Sequence, residues 1–295
     1  MTFLEQLKDR VENVEQIINQ YLPKEEGYQK KVLEAMNYTM KAGGKRIRPL
    51  LMYEVYKAFG GKEKIIEPFM AAIEMIHTYS LIHDDLPALD NDDYRRGRKT
   101  AHVVYGEDIA ILAGDGLLNY AFEVATSAFT MKAGDTKVER AFQVLATKPG
   151  IYGMIGGQTA DVVSTGKSLT LDEILYIHEK KTAALLQCAF MIGGILAGAT
   201  TEEVTQLEIA GKEIGLAFQI QDDILDLIGD EKEIGKPVAS DEKNGKITYV
   251  TIKGLEQSQK DVQELTKNGI CRMENMGIKQ PFLMDLLNSL VDRKK

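Results

Sequence analysis

Residues 77–97 read HTYSLIHDDLPALDNDDYRRG, and residues 218–226 read FQIQDDILD. Each stretch leaves an apolar run of helical spacing, enters an aspartate cluster and is followed by basic residues. The first cluster is Asp84, Asp85 and Asp90; the second is Asp222, Asp223 and Asp226. Two like charges about 4 Å apart repel by roughly 4 kcal/mol at an effective dielectric of about 20, so a bare aspartate cluster rejects a phosphate. A divalent cation reverses that sign, because Mg²⁺ takes hard oxygen ligands from one or two carboxylates, waters and phosphate groups. Acid beside base in two places points to a metal-bridged polyanion.

Around these stretches nearly every segment carries apolar residues at helical period, and none alternates convincingly as a strand, so the fold class is all-α. The spacing predicts helices over 2–20, 25–42, 47–59, 63–88, 107–132, 135–148, 151–164, 171–198, 202–229, 246–268 and 280–293. The breaks fall at punctuators such as Pro23, Gly43-Gly44, Gly60-Gly61, Gly97, Gly106, Gly134, Gly150 and Gly166. Ser168 or Thr170, followed by Glu173, is placed to cap the helix that carries Lys180-Lys181-Thr182. With no Pro/Ser linker and no low-complexity tract, residues 1–295 read as a single domain.

Hydrophobic residues make up 44% and charged residues 27%, a globular balance. The net charge of -8 argues against general nucleic-acid binding, which needs a broad basic surface. Cys188 and Cys271 stand far apart with no metal-ligand spacing, which suits a reducing cytoplasm. The N-terminal MTFLEQLKDRVENVEQIINQYL has acidic residues and helical period where a signal peptide has a basic start and an unbroken apolar core. Thr182–Thr200 is nearly long enough to span a bilayer, but Gln187, Gly193-Gly194 and many small residues favour a helix buried on all sides over a membrane span.

Asp222 and Asp226 are four apart and share a helical face, within reach of one ion. Asp84 and Asp90 are six apart, about 120° out of phase on a regular helix. Pro87 between them breaks a helix and permits a turn that returns Asp90 to Asp84. Taken alone, the first cluster also reads as a polar helix end running into a solvated loop. A calcium-loop reading fails, since Arg95 and Ala101 stand where glycine and glutamate are required. Gly43-Gly44-Lys45-Arg46-Ile47-Arg48-Pro49 lacks the framework of a nucleotide phosphate loop; it is either a glycine helix stop with exposed bases or a second phosphate site built from side-chain cations.

Together GGKRIRP (43–49), HTYSLIHDDLPALDNDDYRRG (77–97), GGQTAD (156–161), KT (181–182), FQIQDDILD (218–226), GK (235–236) and Lys246 to Tyr249 resemble the trans-prenyl diphosphate synthase family, bacterial farnesyl diphosphate synthases above all. The resemblance implies a large antiparallel helical bundle around a deep central cavity, the isoprenoid synthase fold, with the two aspartate motifs facing each other across its mouth. It implies that Asp84, Asp90 and Asp222 chelate Mg²⁺, three ions per site with substrate bound, supported by Asp85, Asp223 and Asp226. It places Arg95, Lys181 and Lys236 on the allylic diphosphate, and Lys45, Arg48, His77 and Arg96 on the diphosphate of isopentenyl diphosphate. The Lys181 carbonyl, the Thr182 hydroxyl and the Gln219 amide oxygen would stabilise the carbocation. The released diphosphate would take the final proton, so no protein general base is required. A homodimer is implied as well.

The expected reaction joins dimethylallyl and then geranyl diphosphate head to tail with isopentenyl diphosphate, giving a farnesyl-length product. Product length is expected at Tyr79 and Ser80, just before the first motif, because this family commonly builds its pocket floor there. Tyr79 lies about 7.5 Å down a helix from Asp84, but about 140° out of phase with it, so its ring needs a bent helix or a long reach to enter a cavity. Leu89, Lys99 and Ala239 depart from the usual family pattern without removing a charge or a metal ligand. A geranylgeranyl or longer-chain synthase would differ mainly in pocket depth. A noncatalytic partner subunit of a heteromeric synthase would show degraded aspartate motifs, and both are intact here. A terpene cyclase would have no use for the GGKRIRP site. Arg293-Lys294-Lys295 reads as a solvated tail.

Overall fold

The segment leading into the first aspartate motif is mostly apolar and buried, and the surrounding helices are arranged to cover it. The computed structural model describes residues 1–228 and 247–291; Lys236, Ala239, Lys246 and the terminal Arg293-Lys294-Lys295 lie outside the described residues. In chain order the elements are α1 (Phe3–Gln20), α2 (Lys30–Met40), α3 (Ile47–Ala58), a 3-10 turn at Lys64–Ile66, α4 (Glu67–Asp84), strands β1 (Tyr94–Arg95) and β2 (Arg98–Lys99), α5 (Ala101–Tyr105) and α6 (Glu107–Met131). They continue as α7 (Thr136–Thr147), α8 (Met154–Ser164), α9 (Leu171–Ile177), a π-helical segment (His178–Ala183), α10 (Ala184–Ala197), α11 (Thr201–Ile228), α12 (Tyr249–Lys253), α13 (Leu255–Asn275) and α14 (Pro281–Val291). The all-α expectation holds.

Helix α4 packs against α6, α3 and α1, while α10 lies against α11, α3 and α7. Phe69, Met70, Ile73, Met75 and Ile76 of α4 are fully buried, each contributing about 1.5–3 kcal/mol by leaving water. Both Lys64–Asp84 and Leu171–Ala197 are long and apolar enough to cross a membrane, yet both are mostly covered by neighbouring helices. Gly193 shows why α10 is rich in small residues: a Cβ there would stand 2.5 Å from the Met52 carbonyl oxygen of α3. A second cluster of Ile174, Ile220, Ile224, Tyr249 and Val250 supports α11 beneath its aspartate motif.

Several boundaries differ from expectation, for local reasons. Helix α2 begins at Lys30 because Gly27, at φ 79°, interrupts the chain. Helix α4 ends at Asp84, well before residue 88, since Leu86 precedes Pro87 and that position disfavours the helical region. Residues 94–99 form an antiparallel hairpin whose central Arg96 and Gly97 both have positive φ, as a two-residue hairpin turn requires. Its strands are too short for alternation to show. The helix expected over 246–268 is divided at Gly254, φ 76°, and its second part runs on to Asn275. Thr170, not Ser168, forms the capping box with Glu173.

Candidate active site

A cavity of about 1610 Å³ is lined by residues from α3, α4, α6, α8, the hairpin, the π segment and α11. Lys45, Arg48, His77, Tyr79, Ser80, Asp84, Asp90, Arg95, Arg96, Lys181, Thr182, Gln219 and Asp222 all line it. Asp85, Asp223 and Asp226 stand behind or beside that lining.

On one wall, the chain turns after α4 so that the Asp90 amide donates to the Asp84 carbonyl at 2.9 Å. Gln158 of α8 donates to Asp84 Oδ1 at 2.7 Å. Burial, with Asp90 and Asp85 adding to it against Lys181 and Arg95, pushes the Asp84 carboxyl up to about 6. Asp85 is buried, and its Oδ1 accepts from Arg95 Nε at 2.6 Å, with Arg95 Nη2 also at 2.6 Å. That pairing aims Arg95 at the cavity. Burial raises the Asp85 carboxyl, and Arg95 opposes it.

Across the cavity, α11 contributes Phe218, Gln219 and Asp222. Asp226, four residues beyond Asp222, is half-buried. Asp223 is buried and accepts at Oδ1 from Gln219 Nε2 (3.2 Å) and at Oδ2 from the Tyr249 amide (3.0 Å). Between the walls, the π segment carries Lys181, paired with Asp161 at 2.6 Å, and Thr182, whose hydroxyl donates to Gln219 Oε1 at 2.7 Å. π turns are frequent at functional sites. Gly157 lets α8 lie directly on this segment, because any Cβ there would strike the Lys181 backbone nitrogen.

The basic cluster rests on a buried ion pair. Arg46, at φ 48°, bonds Glu74 Oε1 at 2.7 Å and the Met40 carbonyl at 2.6 Å. Arg96, at φ 53° in the hairpin turn, donates to the Gly43 carbonyl and so ties hairpin to GGKRIRP loop. Positive φ is uncommon in residues other than glycine, and such positions cluster at functional sites. Burial, then Arg48, Arg96, Arg95 and Arg46, hold His77 well below the usual imidazole range, so it is a neutral group among cations. Deeper in, Tyr79 meets His83 edge-on at 5.8 Å, and burial pushes its hydroxyl up to about 12. Although α4 is regular, the ring reaches the lining. The Ser80 hydroxyl donates to the His77 carbonyl at 2.9 Å.

Four contributors escaped sequence reasoning: Glu74, Gln158, Asp161 and His178, whose Nε2 stands 3.5 Å from Asp223 Oδ2. Gln158 and Asp161 could have been found, being three apart within GGQTAD and hence on one helical face. Glu74 and His178 gave no local signal.

Among the described residues, no three His, Cys, Asp or Glu side chains converge on one point. A hard cation here would complete its shell with oxygens of a bound ligand, as Mg²⁺ does in phosphate-transfer sites. A carboxyl raised by burial beside like charges is one that such a cation relieves, so the donor set fits Mg²⁺.

The polyprenyl synthetase family model matches residues 29–280. Farnesyl diphosphate synthase of Geobacillus stearothermophilus is 47% identical over 249 residues, 84% of each chain. Geranylgeranyl diphosphate synthase of Cyanophora paradoxa is 42% identical over 285 residues, 95% of this chain and 94% of that one. Among solved structures, the geranyltransferase of Helicobacter pylori, complexed with magnesium and isoprenyl diphosphate, superposes with a TM-score of 0.83 at 31% identity over 99% of this chain and 97% of that one.

Proposed function

The chain belongs to the polyprenyl synthetase family, and from that premise we propose that it is a prenyltransferase that condenses dimethylallyl and then geranyl diphosphate with isopentenyl diphosphate to make farnesyl diphosphate. The observation that carries this reading is one cavity lined by both aspartate motifs and, separately, by the cluster of Lys45, Arg48, His77 and Arg96. Two anionic substrates need two sites. Only the one that ionises needs carboxylate-held metal.

Asp84, Asp90 and Asp222 would hold Mg²⁺, with three ions per site in the substrate complex part of the same proposal. Bound there, Mg²⁺ supplies Lewis-acid neutralisation of the leaving diphosphate and so promotes C–O ionisation. Arg95 and Lys181 bind that diphosphate, Arg95 being aimed by Asp85 and Lys181 by Asp161. Lys45, Arg48 and Arg96 hold the diphosphate of isopentenyl diphosphate, with neutral His77 donating a hydrogen bond. Thr182 and Gln219 present oxygens to the allylic cation. Tyr79 closes the pocket at farnesyl length, with Ser80 beside it in the cavity wall.

The full chain, 1–295, works in this reading as a single prenyl synthase domain, since motifs far apart in sequence meet at one cavity. We include a cytoplasmic location, consistent with the unpaired Cys188 and Cys271, and a homodimer. The exposed Val103, Val104, Ile111 and Leu112 of α5 and α6 offer apolar side chains that a second copy would cover.

Incubation with radiolabelled isopentenyl diphosphate, Mg²⁺ and each allylic primer tests the reading. Incorporation is expected with dimethylallyl and geranyl diphosphate; none with any primer rejects the enzyme. The Cyanophora relative favours a second reading, a geranylgeranyl synthase, which a predominant C20 product would establish.

A further inference from the structure

We infer that Asp223 is a positioning residue that locks the Gln219 side-chain amide with its oxygen toward the cavity. The inference rests on the prenyl-transfer reading and assigns Asp223 a duty other than metal support. Both oxygens of the Asp223 carboxyl group accept hydrogen bonds from N–H groups. Its Oδ2 accepts from the Tyr249 backbone amide at 3.0 Å, and His178 Nε2 stands 3.5 Å from the same oxygen. Oδ1 therefore faces Gln219, and it accepts from Nε2 at 3.2 Å. With its NH₂ group engaged there, Gln219 has to turn Oε1 the other way, toward Thr182.

Oε1 then accepts the Thr182 hydroxyl proton at 2.7 Å. A hydroxyl has a single proton, so Thr182 keeps its lone pairs for whatever lies in the cavity. One buried carboxylate thus sets the polarity of two side chains that line the cavity, both presenting oxygen to a developing cation. Fixed dipoles of this kind cost no reorganisation when charge forms.

Asp223→Asn leaves one acceptor where two are needed. The backbone amide of Tyr249 is immovable by comparison with a side chain, so it takes the remaining oxygen. The introduced NH₂ group then faces Gln219, whose amide flips and aims its own NH₂ at the cavity. The expected result is a loss of kcat of about a hundredfold, with KM for both substrates and the Mg²⁺ requirement unchanged. Combining Asp223→Asn with Gln219→Glu restores an oxygen toward both the introduced amide and Thr182, so turnover should recover. A protein damaged only in folding would not recover in this way. A double variant as slow as Asp223→Asn, or a raised Mg²⁺ requirement in the single variant, overturns the inference. Affinity for an ammonium analogue of the allylic cation, measured by calorimetry with inorganic diphosphate and Mg²⁺, should follow the same order. That binding series reads the amide's polarity without turnover, whereas a wild-type protein that incorporates no isopentenyl diphosphate defeats the prenyl-transfer reading separately.

Discussion

The Asp90 backbone amide donates to the Asp84 carbonyl at 2.9 Å, closing a loop over six residues. A continuing helix would instead carry Asp90 about 120° round the axis. The Asn91 amide bonds the Leu86 carbonyl at 3.1 Å and secures the same turn. Pro87 sits inside it, and a proline there disfavours the helical region for the preceding Leu86.

Pro87→Ala should therefore weaken metal use more than folding. The expected outcome is a severalfold rise in the Mg²⁺ concentration for half-maximal activity with little change in the melting curve. A variant with wild-type Mg²⁺ dependence would show that the turn holds without its proline.

Asp84 should cost stability in metal-free protein at neutral pH. Its native carboxyl titrates near 6, above the ordinary 3.8, so the native state binds more protons than the unfolded state between those values. Stability from this group is greatest below pH 4 and falls as pH rises through 6. A shift of about two units bounds the effect at about 3 kcal/mol, and solvent in the cavity reduces it. In chelator, Asp84→Asn should raise Tm at pH 8 and converge with wild type towards pH 4. Calorimetry across that range checks the sign.

Tyr79→Ala should lengthen the product, because the ring lies in the cavity wall five residues before Asp84. Chromatography of the dephosphorylated products should show chains beyond C15. An unchanged distribution would remove Tyr79 from the floor.

Glu74→Ala should destabilise by about 3 kcal/mol, the low end for a broken buried pair, since the Arg46 guanidinium, which is 5% exposed, loses its buried partner and keeps only the part-exposed Glu15 at 3.3 Å and the Met40 carbonyl. Urea unfolding measures the loss. Replacing both partners, Arg46→Met with Glu74→Leu, should recover much of it. The same pair should still raise KM for isopentenyl diphosphate, because Arg46 shapes the loop that carries Lys45 and Arg48.

Much of the site could be read from the chain because its motifs are local. Asp222 and Asp226 share a face by spacing alone, and His77 and Asp84, seven apart on α4, both reach the cavity. The hairpin at 94–99 was hidden by two-residue strands, and the division at Gly254 by a helical period that persists on both sides of it. Tyr79 was ambiguous in phase, and its ring's reach into the cavity became visible only with the packed helices around it.

Sequence by itself determined the all-α class, which follows from helical period, and the two acidic clusters and the basic loop, each written in residues a few positions apart; the family came from the resemblance those motifs carry together. Tertiary structure alone decided which side chains hold those groups: Gln158 on Asp84, Asp161 on Lys181, Glu74 on Arg46, and Asp223 on Gln219. These partners lie between 4 and 74 residues apart in the chain. Even the nearest takes its meaning from the distant Tyr249 amide, which fixes the carboxylate that fixes the glutamine. Hydrogen-bond direction depends on every group that converges on an atom, and only the folded chain brings those groups together.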